Sequence, residues 1–399
     1  MIAWNASDAE NLVSPNVGLA LLGRAISAQP DDARLHEKLG NLHFDRFDFG
    51  RAARAFEAAV DREPDHDAAR LRLARCWNRL GRHADVLRFL GESKRAACAD
   101  SHLQRGVAFA SLGRSEQAEL SFRAALDLDP HHRHACFELC TLLRLAGRYI
   151  ELLSVCDALV EKKVVHAQLL LDRGRALAHN GHLREAARLL FNPGRLVRTT
   201  LRPPRGFGSL RAFNSALAEE LLSNPYAMTE VPMDEVAMRG AARVHHLMNG
   251  NRPELIRMLF AEIEVSVEAY AREMTAPPGD VDPWCDARPR RAGLHAWGLI
   301  QKSGDYEEWH THRGGWLSGV YYARIPETFS IAGAGQGCIE FGAPPSLAEA
   351  GIAIVDPLRV APCEGLLLLA PSHYHHRTIP FVSPGLRICV AFDVQRLEP

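Results

Sequence analysis

The sequence predicts an α + β multidomain chain, with an all-α solenoid in the first half and a β-sandwich or barrel with flanking helices in the second. Three observations carry this. Amphipathic helical runs recur at a period of 34 residues up to about residue 195. The breaker-rich stretch PGRLVRTTLRPPRGFGS (193–209) ends that pattern. From about Arg291 onward, short strand-like runs alternate with Gly and Pro turns.

Composition bounds the problem. The 399 residues are 47% hydrophobic and 24% charged, an ordinary globular balance with room for two or three cores. A net charge of −1 gives no electrostatic case for nucleic acid or an acidic membrane as partner. No run reaches the length of a membrane span. The opening MIAWNASDAENLV lacks a basic n-region and an apolar h-region. Nine scattered cysteines without paired CxxC motifs then lead to the expectation of reduced thiols in the cytoplasm. Cys136 and Cys140 could share a helix face, but no second pair completes a zinc site, so they are expected to be small apolar fillers.

Within the repeats, Pro30 and Pro64 each close an Ala-rich amphipathic run, and Pro130 closes a third. Gly40, Gly106 and Gly174 fall where two helices must approach closely. Gly81, Gly113, Gly147 and Gly181 fall in turns that need positive φ. Ala52, Ala118 and Ala186 recur in the second helix of each unit, followed by Phe56, Phe122 and Leu190. This pattern resembles the tetratricopeptide repeat, with five or six units over residues 1–195. Each helix pair has an apolar stripe it cannot bury alone, and stacking neighbours buries it. The resemblance implies a groove for a peptide or protein; self-association as a homodimer and a purely bracing role stay open. The cluster His131, His132 and His134 is read as imidazoles in a solvated inter-repeat turn.

Residues 196–209 are expected to be a linker, followed by a helical lead-in over 210–280. It contains RAFNSALAEELLS and an amphipathic run over about 252–274, with Asn251 as N-cap and Pro253 in the first turn. The β core, 291–399, is read from LHAWGLIQ, WLSGVYYARI, GCIEFG, IAIVDP, RVAP, GLLLLAP and RICVAFDV, about eight strands.

Chemistry concentrates in that core. His310 and His312, one residue apart at the start of a strand, share a face by its period of two. APSHYHHRTIPF brings further histidines some 60 residues on, and Arg387 opens the last strand. Ferrous oxygenases hold iron by three protein ligands on one face, and inward positions on such strands can supply them.

Residues 295–394 resemble a 2-oxoglutarate/Fe(II)-dependent oxygenase, a double-stranded β-helix (jelly roll). They are closest to the bacterial and phage group reading His-x-His-Pro, Ser-Gly-Val-Tyr-Tyr and Arg-Ile-Ser-Ile-Ala-Phe-Asn; the sequence has HTHRG, LSGVYYARIP and RICVAFDV. With the helical lead-in the match spans about 205–399. The resemblance implies iron ligands at His310, His312 and His376, the last favoured over His375, His373 and His295 by its HxxxP context. It implies that Arg387 grips the distal carboxylate of 2-oxoglutarate and that Tyr322 shares it; Cys389, Trp297 and Ser318 are further candidates. His312 stands where the wider superfamily has Asp or Glu, Cys389 where a Ser is usual, and GAPPS where an acidic-Pro-Arg stretch is common.

Each assignment also has a physical basis. A guanidinium in a core strand needs an anion, here 2-oxoglutarate or a structural carboxylate. A buried tyrosine hydroxyl needs an acceptor. The favoured reading is a dioxygenase using Fe(II), 2-oxoglutarate and O2 to hydroxylate a C–H of a peptide, protein or carrier-bound substrate recruited by the repeats. A three-histidine cupin-like oxygenase without 2-oxoglutarate and a non-catalytic scaffold with a degenerate jelly roll are the alternatives.

Overall fold

The computed structural model describes residues 2–5, 15–91, 98–228, 238–275, 282–326, 335–348 and 357–397. The chain divides into two compact units, 11–148 and 1–10 with 149–399.

The first unit contains α1 (Pro15–Ala28), α2 (Ala33–Phe44), α3 (Phe49–Arg62), α4 (Asp67–Arg79), α5 (His83–Gly91), α6 (Ala99–Ser111), α7 (Ser115–Leu128) and α8 (Arg133–Leu145). They form antiparallel hairpins. Gly113 closes one hairpin at φ +72°, and the other three turn glycines named above are likewise positive. A Cβ on Gly40 would stand 2.6 Å from the Phe56 ring, and one on Gly106 would overlap Phe122, so a small residue sets the spacing within each pair. His132 is no solvated imidazole: its Nδ1 accepts from Ala135 N–H to cap α8, while Nε2 lies 3.2 Å from Asp100. Cys136 and Cys140 are buried on one face of α8.

The second unit begins with a strand, β1 (Ala3–Trp4), then continues the hairpins with α9 (Tyr149–Glu161), α10 (Ala167–His179) and α11 (Leu183–Leu190). These last helices share a core with the β region: Leu170, Leu171 and Leu190 pack in one cluster with Tyr270 and Trp316. The stretch 196–209 is not a free linker, because β2 (Val197–Thr200) zips onto the sheet. Two long helices come next, α12 (Leu210–Ser223), capped by Ser209, and α13 (Pro253–Glu273), besides one-turn helices at Pro283–Asp286 and Pro345–Ala348. Arg252, not Asn251, occupies the N-cap of α13; the Asn251 amide instead donates to Ser223 C=O at 3.0 Å.

The remaining strands are β3 (Ala227–Met228), β4 (Met238–Arg239), β5 (Ala242–Val244), β6 (Arg291–Gln301), β7 (Tyr306–Glu307), β8 (Leu317–Arg324), β9 (Ile339–Phe341), β10 (Leu358–Val360), β11 (Leu366–Pro371), β12 (His376–Thr378) and β13 (Arg387–Arg396). The run IAIVDP lies outside the described residues but for Pro357. One sheet runs β2-β11-β8-β13-β6-β5-β3, with β1 beside β6; a second runs β10-β9-β12, and β4 pairs β7. All pairings are antiparallel except β1 with β6. Ile2 is buried beneath β1, and Trp4 Nε1–H donates to Glu268 at 3.3 Å.

This is a jelly roll with helices on its outer face, and period two sorts its residues. Ile388, Val390, Phe392 and Val394 turn outward into the core with α12 and α13. Arg387, Cys389 and Ala391 turn inward and line a cavity with residues of β9 and β12.

Candidate metal centre and its cavity

Main-chain bonds bring the histidines together. An isolated antiparallel bridge pairs His310 with His376, the N–H of each donating to the other's C=O at 3.0 and 3.1 Å. His312 N–H donates to Ser372 C=O at 2.9 Å. One ligand nitrogen from each of His310, His312 and His376 then lies within 4.8 Å of the others. His312 Nε2 and His376 Nε2 are 3.2 Å apart. Two imidazole nitrogens sharing one ion stand roughly 3.0–3.4 Å apart, given metal–nitrogen bonds near 2.1 Å.

The second nitrogen of every ring is held. His310 Nδ1–H donates to Glu308 C=O at 2.7 Å, and His376 Nδ1–H donates to Tyr374 C=O at 3.1 Å. His312 Nδ1 meets the Asp393 carboxylate at 2.8 Å. An acceptor at Nδ1 selects the tautomer whose Nε2 lone pair faces the centre. Burial holds the His376 pKa well below the ordinary imidazole value, and His310 and His312 push it further. Burial also lowers His310. Both rings are therefore neutral at pH 7, the form that ligates a metal. Burial acts the same way on His312, but the Asp393 charge and hydrogen bond outweigh it and raise its pKa.

The rival histidines fall elsewhere. His375 is buried and turned away from the cluster, and burial drops its pKa to about 3. His373 lies in the turn before β12 and is fully buried, its Nε2–H donating to Leu189 C=O at 2.9 Å. His295 is exposed beside Trp297.

Deeper in, the cavity encloses about 610 Å³ of empty space including its open mouth. Arg387 is 1% exposed in its wall. Its Nε donates to Gln301 Oε1 and its Nη1 to Gly337 C=O, both at 2.8 Å, while Nη2 has no hydrogen-bond partner among the described residues. No carboxylate among the described residues pairs with it. Tyr322 lies in the same wall, where burial drives its hydroxyl pKa up. Trp297 stacks on His312 at 5.6 Å and 17°, and Cys389 lines the cavity with its thiol pushed to about 12 by burial. Ser318 Oγ–H donates to Asp393 at 2.7 Å.

Residues 295–393 match the family model described as "Putative 2OG-Fe(II) oxygenase", and 38–85 and 99–132 match models of the tetratricopeptide repeat. The chain is a tetratricopeptide-repeat protein carrying a 2OG-Fe(II) oxygenase domain. No curated protein matches it. Among solved structures, the repeat protein YrrB is 19% identical, covering 42% of this chain and 88% of its own, with a TM-score of 0.33. A thermophilic repeat protein of Thermus thermophilus is 24% identical, with coverages of 41% and 90% and a TM-score of 0.35. A Pseudomonas putida prolyl-4-hydroxylase is 12% identical, with coverages of 51% and 93% and a TM-score of 0.34.

The oxygenase domain fits the groups its family implies. Three imidazoles whose ring nitrogens lie within 4.8 Å of one another suit a ferrous ion, and a buried guanidinium nitrogen without a hydrogen-bond partner among the described residues suits a carboxylate. Sequence reasoning missed Asp393 and Gln301. Both were within reach of the period-two rule, since Asp393 follows Arg387, Cys389 and Ala391 on the inward face and Gln301 follows Trp297 and Leu299.

Proposed function

We propose that this chain is a 2-oxoglutarate- and Fe(II)-dependent dioxygenase that hydroxylates a C–H of a peptide, protein or carrier-bound substrate brought to it by the repeats. The observation that carries the reading is the convergence of the His310, His312 and His376 rings, each with its Nδ1 already committed elsewhere.

In this reading His310, His312 and His376 hold iron. Arg387 binds the distal carboxylate of 2-oxoglutarate through Nη2, and Tyr322 adds a hydroxyl beside it. When bound, iron with 2-oxoglutarate and O2 supplies the oxidising power for C–H hydroxylation, coupled to release of succinate and CO2. The chain's own contribution is positional. Gln301 and Gly337 fix the guanidinium so that little ordering cost is left for cosubstrate binding. Leu299, Ile339, Phe341 and Leu368 line the cavity and exclude water from the reacting centre. Trp297 braces the His312 ring.

Anaerobic addition of Fe(II) and then 2-oxoglutarate tests this: a weak visible charge-transfer band is expected, and Arg387→Ala should lose it. A band-free wild type, or an Arg387→Ala variant that behaves like wild type, refutes the reading. Oxygen uptake without succinate would favour the cupin-like alternative.

A further inference from the structure

The three-histidine centre has no carboxylate among its ring donors, but one stands directly behind it. Asp393, on β13, is 7% exposed, and its Oδ1 takes hydrogen bonds from both His312 Nδ1 at 2.8 Å and Ser318 Oγ at 2.7 Å. Ser318 Oγ is in turn 2.6 Å from Ser372 Oγ, and Ser372 C=O accepts from His312 N–H. The result is a closed ring: Ser372 main chain, His312, Asp393, Ser318, Ser372 side chain. Gly315 leaves room for it, since a Cβ there would stand 3.3 Å from Asp393 Cβ and overlap Ser372 Oγ.

The other two rings lean on backbone carbonyls, which carry no net charge. Of the three rings only His312 hydrogen-bonds an anion, while the Glu307 charge in the cavity wall acts on both His310 and His312 from farther off. We propose that Asp393 is the positioning residue of the metal centre, orienting His312 and supplying through it the negative charge that a carboxylate ligand would otherwise bring. A charge-assisted bond of this length makes the imidazole a stronger donor and offsets part of the ion's charge inside a buried site. Ser318 holds the carboxylate by its hydrogen bond, and Ser372 holds Ser318. A purely structural Asp393, tying the turn before β8 to β13, is the competing explanation.

The proposal rests on the metal-site reading above, and the test separates the two. Anaerobic Co(II) titration, followed by the visible d–d spectrum, is run on wild type, Asp393→Asn and Asp393→Leu, with circular dichroism and thermal unfolding of the metal-free proteins as fold controls. Asn is nearly isosteric and can still accept from Nδ1–H, so it removes the charge while keeping the bond; Leu removes both. Affinity is expected to fall roughly 10- to 100-fold in Asp393→Leu and by less in Asp393→Asn. The Fe(III)/Fe(II) midpoint potential of Asp393→Asn should rise, a change that a merely structural role would not produce. Wild type that binds Co(II), with both variants matching its affinity and Asp393→Asn its iron potential, overturns the proposal alone. Wild type that binds no Co(II) or Fe(II) overturns the metal reading and the proposal together.

Discussion

Gln301 and Arg387 face each other across the β6–β13 register, and Gln301 Oε1 accepts from Arg387 Nε at 2.8 Å. Gln301 thus sets the plane of the guanidinium and aims the unbonded Nη2. Arg387→Ala should weaken 2-oxoglutarate binding by about 2–4 kcal/mol, roughly 30- to 1000-fold, because a buried charge pair is broken. Arg387→Lys keeps the charge without the fork and should fall between. Titrating the visible band with 2-oxoglutarate reads this directly, and Co(II) affinity without cosubstrate should be unaltered in both.

Metal loading should stabilise the fold. At a free ion concentration one hundred times Kd, binding contributes about 2.7 kcal/mol, so a chelator should lower the thermal midpoint of the wild type. His310→Ala and His376→Ala should show no such response. A midpoint that ignores both ion and chelator at saturating concentrations would argue against a metal at these histidines.

In the repeats, Gly106→Val would drive two methyl groups into Phe122. Overpacking of this kind costs about 1–3 kcal/mol or more. Because Gly106 belongs to the unit 11–148, loss of helical signal at lower temperature is expected while Co(II) affinity at 10 °C (about 283 K) stays within twofold of wild type.

His373 gives a pH signature away from the metal. Burial depresses its pKa from 6.5 to about 3, against the pull of the Leu189 carbonyl bond. The unfolded chain therefore binds one more proton than the native one between those values. Its contribution is complete above about pH 6.5 and is lost as pH falls toward 3, at about 1.4 kcal/mol per pH unit. Urea unfolding at pH 7, 6 and 5 should show a shallower slope in His373→Asn than in wild type; parallel slopes would refute the assignment.

Much of this was readable from residues. The repeat glycines announced helix contacts and turns because only a missing Cβ satisfies either; strand alternation placed His310 and His312 on one face, and the family resemblance added His376 and Arg387. What the sequence hid was pairing over distance. Nothing in VRTT marks Val197–Thr200 as the partner of β11, since strand register depends on residues more than 160 positions away. Asp393 looked like the end of a strand until His312 was found beside it. His132 read as a loop histidine because a cap is recognised by its backbone geometry, not by residue type alone.

The pairing of Ala3 and Trp4 with Arg291 and Ala292 has a consequence for biosynthesis. β1 must wait for a partner that leaves the ribosome almost 300 residues later. At translation rates of 5–20 residues per second that wait is roughly 15–60 s. Ile2, buried in the finished protein, and Trp4, partly buried there, spend it uncovered. The nascent chain thus carries a sticky segment through synthesis of the whole repeat unit, a natural point for a chaperone to intervene.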